Sequence, residues 1–248
     1  MRGLRFIGRG MLLWMAAGAV HGPAWAQNRD KAWELVPQVG YVYFGSPNLG
    51  DGTTTRIFPA PTNEKDVRTV TSEIDNSPSF AFRFGYHFTR KQMIEFGFSG
   101  TSTTGTIQMH KTVYDNTPPV PPVPTVKSDV NKSEQVSIDL FSGRFGYVYN
   151  FFMQHRGKIV GFVGAGVGII NSSIFGQTAD PDLQNVLDLL VGDENNFLYD
   201  YGAGIRFFGS EKVGFRIDAR RTHYDSSTRG GQDLTEATVG LTLVLGGT

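Results

Sequence analysis

The sequence predicts an all-β chain, folded as an eight-stranded antiparallel up-and-down transmembrane β-barrel with short turns at one end and long loops at the other. Three observations predict it. Stretches of roughly ten residues alternate at period two between large apolar side chains and a face of charge and glycine. Beyond the first 26 residues, no apolar run approaches the roughly 20 residues that a spanning helix needs. The connections alternate between short and long, as they do in barrels with one elaborated side.

The first 26 residues stand apart. Arg2, Arg5 and Arg9 precede a short apolar core, Met11 to Val20, then Pro23 and the small pair Ala24 and Ala26 around Trp25. That is the layout of a cleaved signal peptide, too short to span as a helix. The mature chain is expected to begin at Gln27, making residues 27–248 one barrel domain. No cysteine follows, which excludes a lipid anchor, disulfides and thiolate metal sites. Without the leader the acids outnumber the bases by three and no basic stretch remains, so no nucleic-acid partner is expected.

The strands follow in order. Residues 34–43 set Leu35, Val39, Tyr41 and Tyr43 against Glu34, Gln38 and Gly40. Residues 79–88 are the most telling: Phe80, Phe82, Phe84, Tyr86 and Phe88 on one face, Ser79, Ala81, Arg83, Gly85 and His87 on the other. A soluble sandwich packs shape-matched aliphatic residues inward. A face of aromatic bulk opposite arginine and glycine instead suits lipid outside and a narrow lumen inside. Residues 93–99 put Ile94, Phe96 and Phe98 out, and Glu95, Gly97 and Ser99 in.

Residues 141–151 put Phe141, Phe145, Tyr147, Tyr149 and Phe151 out, with Ser142, Arg144, Gly146 and Asn150 in. Upstream, Val136, Ile138 and Leu140 run on the opposite parity, so a β-bulge is expected near Leu140. Residues 159–170 are apolar on both faces and give no facing. Residues 197–207, 213–222 and 236–245 again alternate, placing Asp200, Arg206, Arg216, Asp218, Arg220 and Glu236 inward.

Short turns are expected near 89–92, 152–158 and 208–212, and long loops over 45–78, 104–133, 171–196 and 225–233. Within the second long loop, residues 106–113 read as the third strand continuing above the membrane, with 128–137 returning. The proline-rich run 117–124 reads as an extended tip. Residues 67–74 carry a similar pattern, and a ten-stranded barrel is the alternative topology.

At this point the chain resembles the small OmpA-like and OmpX-like outer-membrane β-barrel superfamily, over residues 33–245. The resemblance rests on the architecture, on the glycine-rich FVGAGVGI at 162–169, and on a C-terminal assembly signal. Thr238, Gly240, Leu243 and Leu245 carry that signal, although Leu245 replaces the usual aromatic and three residues follow it. The resemblance implies the cell outer membrane of a Gram-negative bacterium and recognition by the outer-membrane assembly machinery. A barrel domain alone is expected, without a peptidoglycan-binding domain. The expected partners are outer-membrane lipids and an extracellular ligand reached through the long loops. A monomer is expected.

The inward charges form the candidate site: Glu34, Arg83, Glu95, Arg144, Asp200, Arg206, Arg216, Asp218, Arg220 and Glu236. Five acids and five bases in a narrow lumen should pair, because unpaired buried charge is costly. Eight strands leave an interior that side chains just fill. A plugged structural or surface-interaction scaffold is therefore expected, with a narrow channel or carrier for small or hydrophobic solutes as the alternative.

A lipid-modifying enzyme is a third class. His223 with Ser226, Ser227 and Asp225 only loosely resembles a barrel deacylase, because the serine comes one residue late. No enzyme, cofactor or metal site is expected: His87 faces inward toward Glu95, His155 lies in a turn, and the glycine run has no helix after it to make a phosphate loop. Between the sixth and seventh strands, a register with Asp200 opposite Arg220 is expected, avoiding Arg206 opposite Arg216. Glu236 is expected to lie diagonally near Arg220.

Overall fold

A computed structural model describes residues 30–45, 52–57, 64–115, 125–153, 158–227 and 230–246. The expected leader at 1–26, Gln27, the proline-rich run at 117–124 and His155 lie outside the described residues. Ten strands form one antiparallel sheet: β1 (Ala32–Phe44), β2 (Gly52–Ile57), β3 (Glu64–Ile74), β4 (Ser77–Thr89), β5 (Gln92–Asp115), β6 (Thr125–Met153), β7 (Ile159–Phe175), β8 (Gly192–Phe208), β9 (Val213–Ser226) and β10 (Gly230–Gly246). One helix, α1 (Pro181–Leu190), lies between β7 and β8.

Eight of the strands close a ring. β1 pairs with β4 on one side and β10 on the other, and β5 pairs with β6 to complete the circuit. Closure removes the sheet edges, whose unpaired backbone groups would be costly in lipid. β2 and β3 stay out of the ring: they form a hairpin whose β3 runs beside the upper half of β5, from Ile74–Gly105 to Glu64–Asp115. Residues 67–74 are thus a strand, but of an extracellular extension rather than a wider barrel. No helix of the described residues is long and apolar enough to cross a membrane.

The facing follows period two. Phe80, Phe82, Phe96, Phe98, Phe141, Phe145, Tyr147, Phe197 and Tyr201 are exposed on the outer wall, while Arg83, Glu95, Arg144 and Asp200 are buried between them. β7, apolar on both faces, turns its even positions inward: Val160, Phe162, Ile170, Ser172 and Ile174 are buried and Val163, Val167 and Ile169 are exposed.

The expected bulge near Leu140 does not exist. Pairing of β6 with β5 runs unbroken from Phe145–Phe96 through Leu140–Thr101 to Val136–Gly105. The shifts in the sheet lie elsewhere, at His87/Thr89, Val113/Tyr114 and Asn150/Phe152. Polarity inverts at Leu140, not phase. Below it Phe141 is out and Ser142 in; above it Ser137 and Asp139 are exposed while Val136, Ile138 and Leu140 are buried. β7 does the same across Ile169, with Ile170 and Ile174 buried above it. The wall leaves lipid at this level, so its outer face turns to water and its inner face can hold the apolar core.

Candidate functional site

The lumen has three tiers. The periplasmic floor is apolar, made by Ala32, Val160, Phe208 and Val244 with Met153 packed against them. Above it, the ten inward charges form a waist, each of them no more than 7% exposed. The mouth above is apolar again.

Glu34 is the lower hub of the waist. Its carboxylate accepts from Arg206 Nε at 2.9 Å and Arg216 Nη1 at 3.4 Å, and meets His87 Nε2 at 2.8 Å. His87 therefore answers to Glu34, not Glu95, because the pairing of β1 with β4 sets Glu34 beside Gly85, two residues along from His87. Glu95 is the middle hub, bonded to Arg216 at 2.6 Å and to Arg220, with Arg83 at 3.6 Å. Asp218 accepts from Arg216 Nε at 2.7 Å and from Thr238 Oγ1 at 2.7 Å. Higher up, Asp200 joins Arg144 at 3.0 Å and Arg220 at 3.1 Å.

β8 and β9 do not take the expected register. Arg206 lies opposite Arg216, Gly202 opposite Arg220 and Asp200 opposite Thr222. Two features remove the repulsion expected between the facing arginines. Glu34 lies on both of them, and both guanidinium groups stack on the Phe162 ring, at 4.2 and 4.5 Å from its centroid. The Asp200–Arg220 pair forms all the same, on the diagonal. Glu236 lies directly opposite Arg220, yet its carboxylate turns to Arg144 at 3.3 Å, with Arg83 at 3.8 Å.

Glycine makes room for these long side chains. A Cβ on Gly166 would stand 2.6 Å from Asp200 Oδ1, and one on Gly204 would stand 2.5 Å from Phe162 Cζ and 2.6 Å from Asp218 Cβ. Between waist and mouth lies a cavity of about 20 Å³ lined by Ser99, Ser142, Arg144, Thr222 and Glu236 and by Val42, Leu140, Ile170 and Leu234. One water needs roughly 10–15 Å³ of such space, so this cavity admits a water and no larger solute.

The mouth was not legible as a site in the sequence. Val42, Ile107, Val136, Ile138, Leu140, Ile170, Ile174, Leu198, Tyr224 and Leu234 form one buried cluster from the inner wall. Leu187 and Leu190 of α1 complete it from above. Asp180 caps α1, accepting from the backbone N–H of Asp182 at 2.9 Å and Leu183 at 3.3 Å, and Pro181 opens its first turn. The Asp-Pro-Asp start and the leucine spacing were the available signal for this helix.

A clamp of ion pairs fastens α1 to the extension. Asp182 receives Lys111 at 3.0 Å, Lys132 at 3.2 Å and Arg68 at 3.2 Å, and Lys132 also reaches Asp180 at 2.6 Å. The hydrogen bond from Lys111, with Lys132 and Arg68 alongside, holds the Asp182 carboxyl below its ordinary value. Lys132 does the same to Asp180.

The histidine candidate pairs with two acids, and the serines near it with a third. His223 Nδ1 meets Asp233 at 3.2 Å and its Nε2 meets Asp225 at 3.6 Å, while Ser226 and Ser227 both donate to Glu194. Among the described residues no group of three or more His, Cys, Asp or Glu side chains could hold a metal ion.

A ring of eight lipid-facing strands around a paired, filled lumen defines an outer-membrane barrel. The family model of the outer membrane protein beta-barrel domain matches residues 12–245, and the chain belongs to that family; it is a protein of the cell outer membrane. Similar solved structures include neisserial surface protein A, NspA, at 8% identity and TM-score 0.47, covering 86% of this chain and 96% of that one. The outer membrane protein AlkL in DMPC bilayers gives 14% identity and TM-score 0.46, covering 91% and 94%. OprG from Pseudomonas aeruginosa gives 10% and 0.43, covering 88% and 99%. The fold rests on the strand ring and the family match. No curated protein matches the chain.

Proposed function

We propose that this protein is a closed-lumen barrel that works from its extracellular end, as a structural scaffold for surface interactions. The observation that carries this reading is the waist: ten buried, mutually paired charges fill it, and the cavity between them and the mouth measures about 20 Å³. The height of the wall supports it. β5 and β6 stay paired from Gln92–Tyr149 to Asp115–Thr125. At about 3.4 Å per residue and a tilt of about 40°, that ribbon rises roughly 60 Å, against an apolar band of about 25 Å. More than half of it stands outside the membrane and presents the extension.

In this reading lipids cover the aromatic outer wall, and the closed ring works as a monomer. Thr238, Gly240, Leu243 and Leu245 on β10 serve as the strand that the assembly machinery reads. Purified protein in planar bilayers should stay silent under applied voltage. Steady open events would overturn the scaffold.

One observation favours a second reading, a carrier site for hydrophobic solutes. The mouth is lined from the wall by apolar side chains and closed by a helix, not by a strand of the ring. A saturable, protein-dependent uptake of an apolar dye in nanodiscs tests it, and uptake equal to that of empty discs would remove it.

A further inference from the structure

The mouth is occupied by a piece of the chain that has the chemistry of a ligand. Arg68 of β3 and Lys111 of β5 are direct partners across the ladder, and Lys132 follows on β6, opposite Met109. Like charges directly opposed across a sheet are unfavourable. The wall places Asp66 on them, at 2.9 Å from Arg68 and 3.8 Å from Lys111. One acid does not balance three cations, and the carboxylate that all three reach belongs to Asp182 of α1. Leu183 is buried next to it, and Leu187 and Leu190 run on into the apolar cluster.

We propose that the mouth is a binding site for an anionic amphiphile, a carboxylate on a medium-length alkyl chain, which α1 occupies as an internal mimic in the free protein. The proposal rests on the carrier reading and names its ligand. Asp182 stands where the ligand's carboxylate binds, on Arg68, Lys111 and Lys132. The leucines stand where its alkyl chain lies. From Asp182 to Leu190 the helix covers about 12 Å at about 1.5 Å per residue, which sets the length of the chain. The charged waist below stops an alkyl chain from going deeper.

α1 is built to be exchanged. Its ten residues are too few to be stable alone, so docking holds it folded. Its clamp is partly open to water, with Asp182, Lys111 and Lys132 side chains 22–23% exposed, where ion pairs are weak. Gly192, at φ +146°, follows the helix in a backbone conformation that other residues rarely adopt.

The absence of cysteine allows a single reporter, a nitroxide on Asn185→Cys at the exposed face of α1, in full-length protein in nanodiscs. Decanoate should raise the label's mobility saturably, at a concentration at least tenfold below that of decan-1-ol or decyltrimethylammonium. Lys111→Gln with Lys132→Gln should abolish that preference. Asp182→Asn removes the internal competitor and leaves the cations, so radiolabelled decanoate should bind several-fold more tightly, the opposite of what a structural lesion gives. Equal responses to the three probes would overturn the carboxylate site and leave the carrier reading standing. No response to any of them, in the parent and in Asp182→Asn, would overturn both. Heat-modifiable migration checks that each variant folds, and Asp182→Asn decides the matter alone if the lysine pair fails to assemble.

Discussion

The waist and the clamp are both knots of arginine, lysine and carboxylate, and both join strands to something across the lumen. The waist charges lie between the ring strands, buried to within a few per cent, with each acid shared by two or more partners. The clamp charges lie at the rim, with side chains up to 32% exposed. The chemistry is the same and the surroundings differ. In the waist a charge left alone has little water to turn to, so losing a partner is costly. At the rim water replaces a lost partner, so pairing only positions a helix.

Variants can break or sharpen that contrast. Glu34→Gln removes one charge from under Arg206, Arg216 and His87. It should cost about 3–5 kcal/mol, seen as a large fall in the urea midpoint of heat-modifiable barrel. A shift no larger than that of a rim variant would erase the contrast. Asp200→Asn should cost nearly as much, because Arg144 and Arg220 both lean on it. Adding Arg220→Gln should then cost less than its own single loss, by about 1 kcal/mol in a double-mutant cycle. Strict additivity would show that the pair is not coupled.

Leu187→Ala deletes a fully buried side chain from α1, a change of about 2–3 kcal/mol. It should appear as faster amide exchange in residues 181–190 and leave the barrel midpoint in place, since the ring does not depend on the helix. Lys111→Gln should cost less than about 1 kcal/mol and loosen only α1, more at low salt than at high.

The smallest effect expected is from acid. Asp180 and Asp182 are held below their ordinary values in the docked helix. Their contribution is complete above the usual carboxylate range of about 3.9–4.3 and is lost as pH falls below it. A nitroxide on α1 should gain mobility on acidification, while mobility unchanged down to the lowest pH that keeps the barrel folded would break the clamp assignment.

Period two carried the ring because lipid outside and charge inside give opposite faces opposite chemistry. Arg83, Arg144 and Asp200 announce themselves against Phe82, Phe145 and Tyr201. The same rule misread Val136, Ile138 and Leu140, since it took apolar to mean outward. Above the membrane the environments exchange, and an unbroken strand then looks like a slipped one. The register of β8 with β9 was hidden for another reason. Opposing Arg206 to Arg216 is unfavourable until Phe162 from β7 and Glu34 from β1 are brought beside them, and nothing local to the hairpin records that. The helix was missed because its leucines make sense only against a core that the strand reading had placed outside.

The sequence separations within the waist bear on how the ring comes to close. Glu34 meets Arg206 and Arg216 across 172 and 182 residues, and Glu95 meets Arg216 and Arg220 across 121 and 125. Glu34 sits on β1 and its arginine partners on β8 and β9, and β10 must be added before β1 can seal against it. A partly assembled ribbon therefore carries arginines whose counter-charges are still on the far edge, and such a ribbon is poorly suited to enter lipid by degrees. Pairs such as Arg216–Asp218 and Arg220–Asp200 can form among the later strands, but the Glu34 share of the neutralisation waits until first strand meets last. The waist thus ties the last seam to charge as well as to backbone: reopening it would bare the strand edges to lipid and part Glu34 from Arg206 and Arg216 in one step.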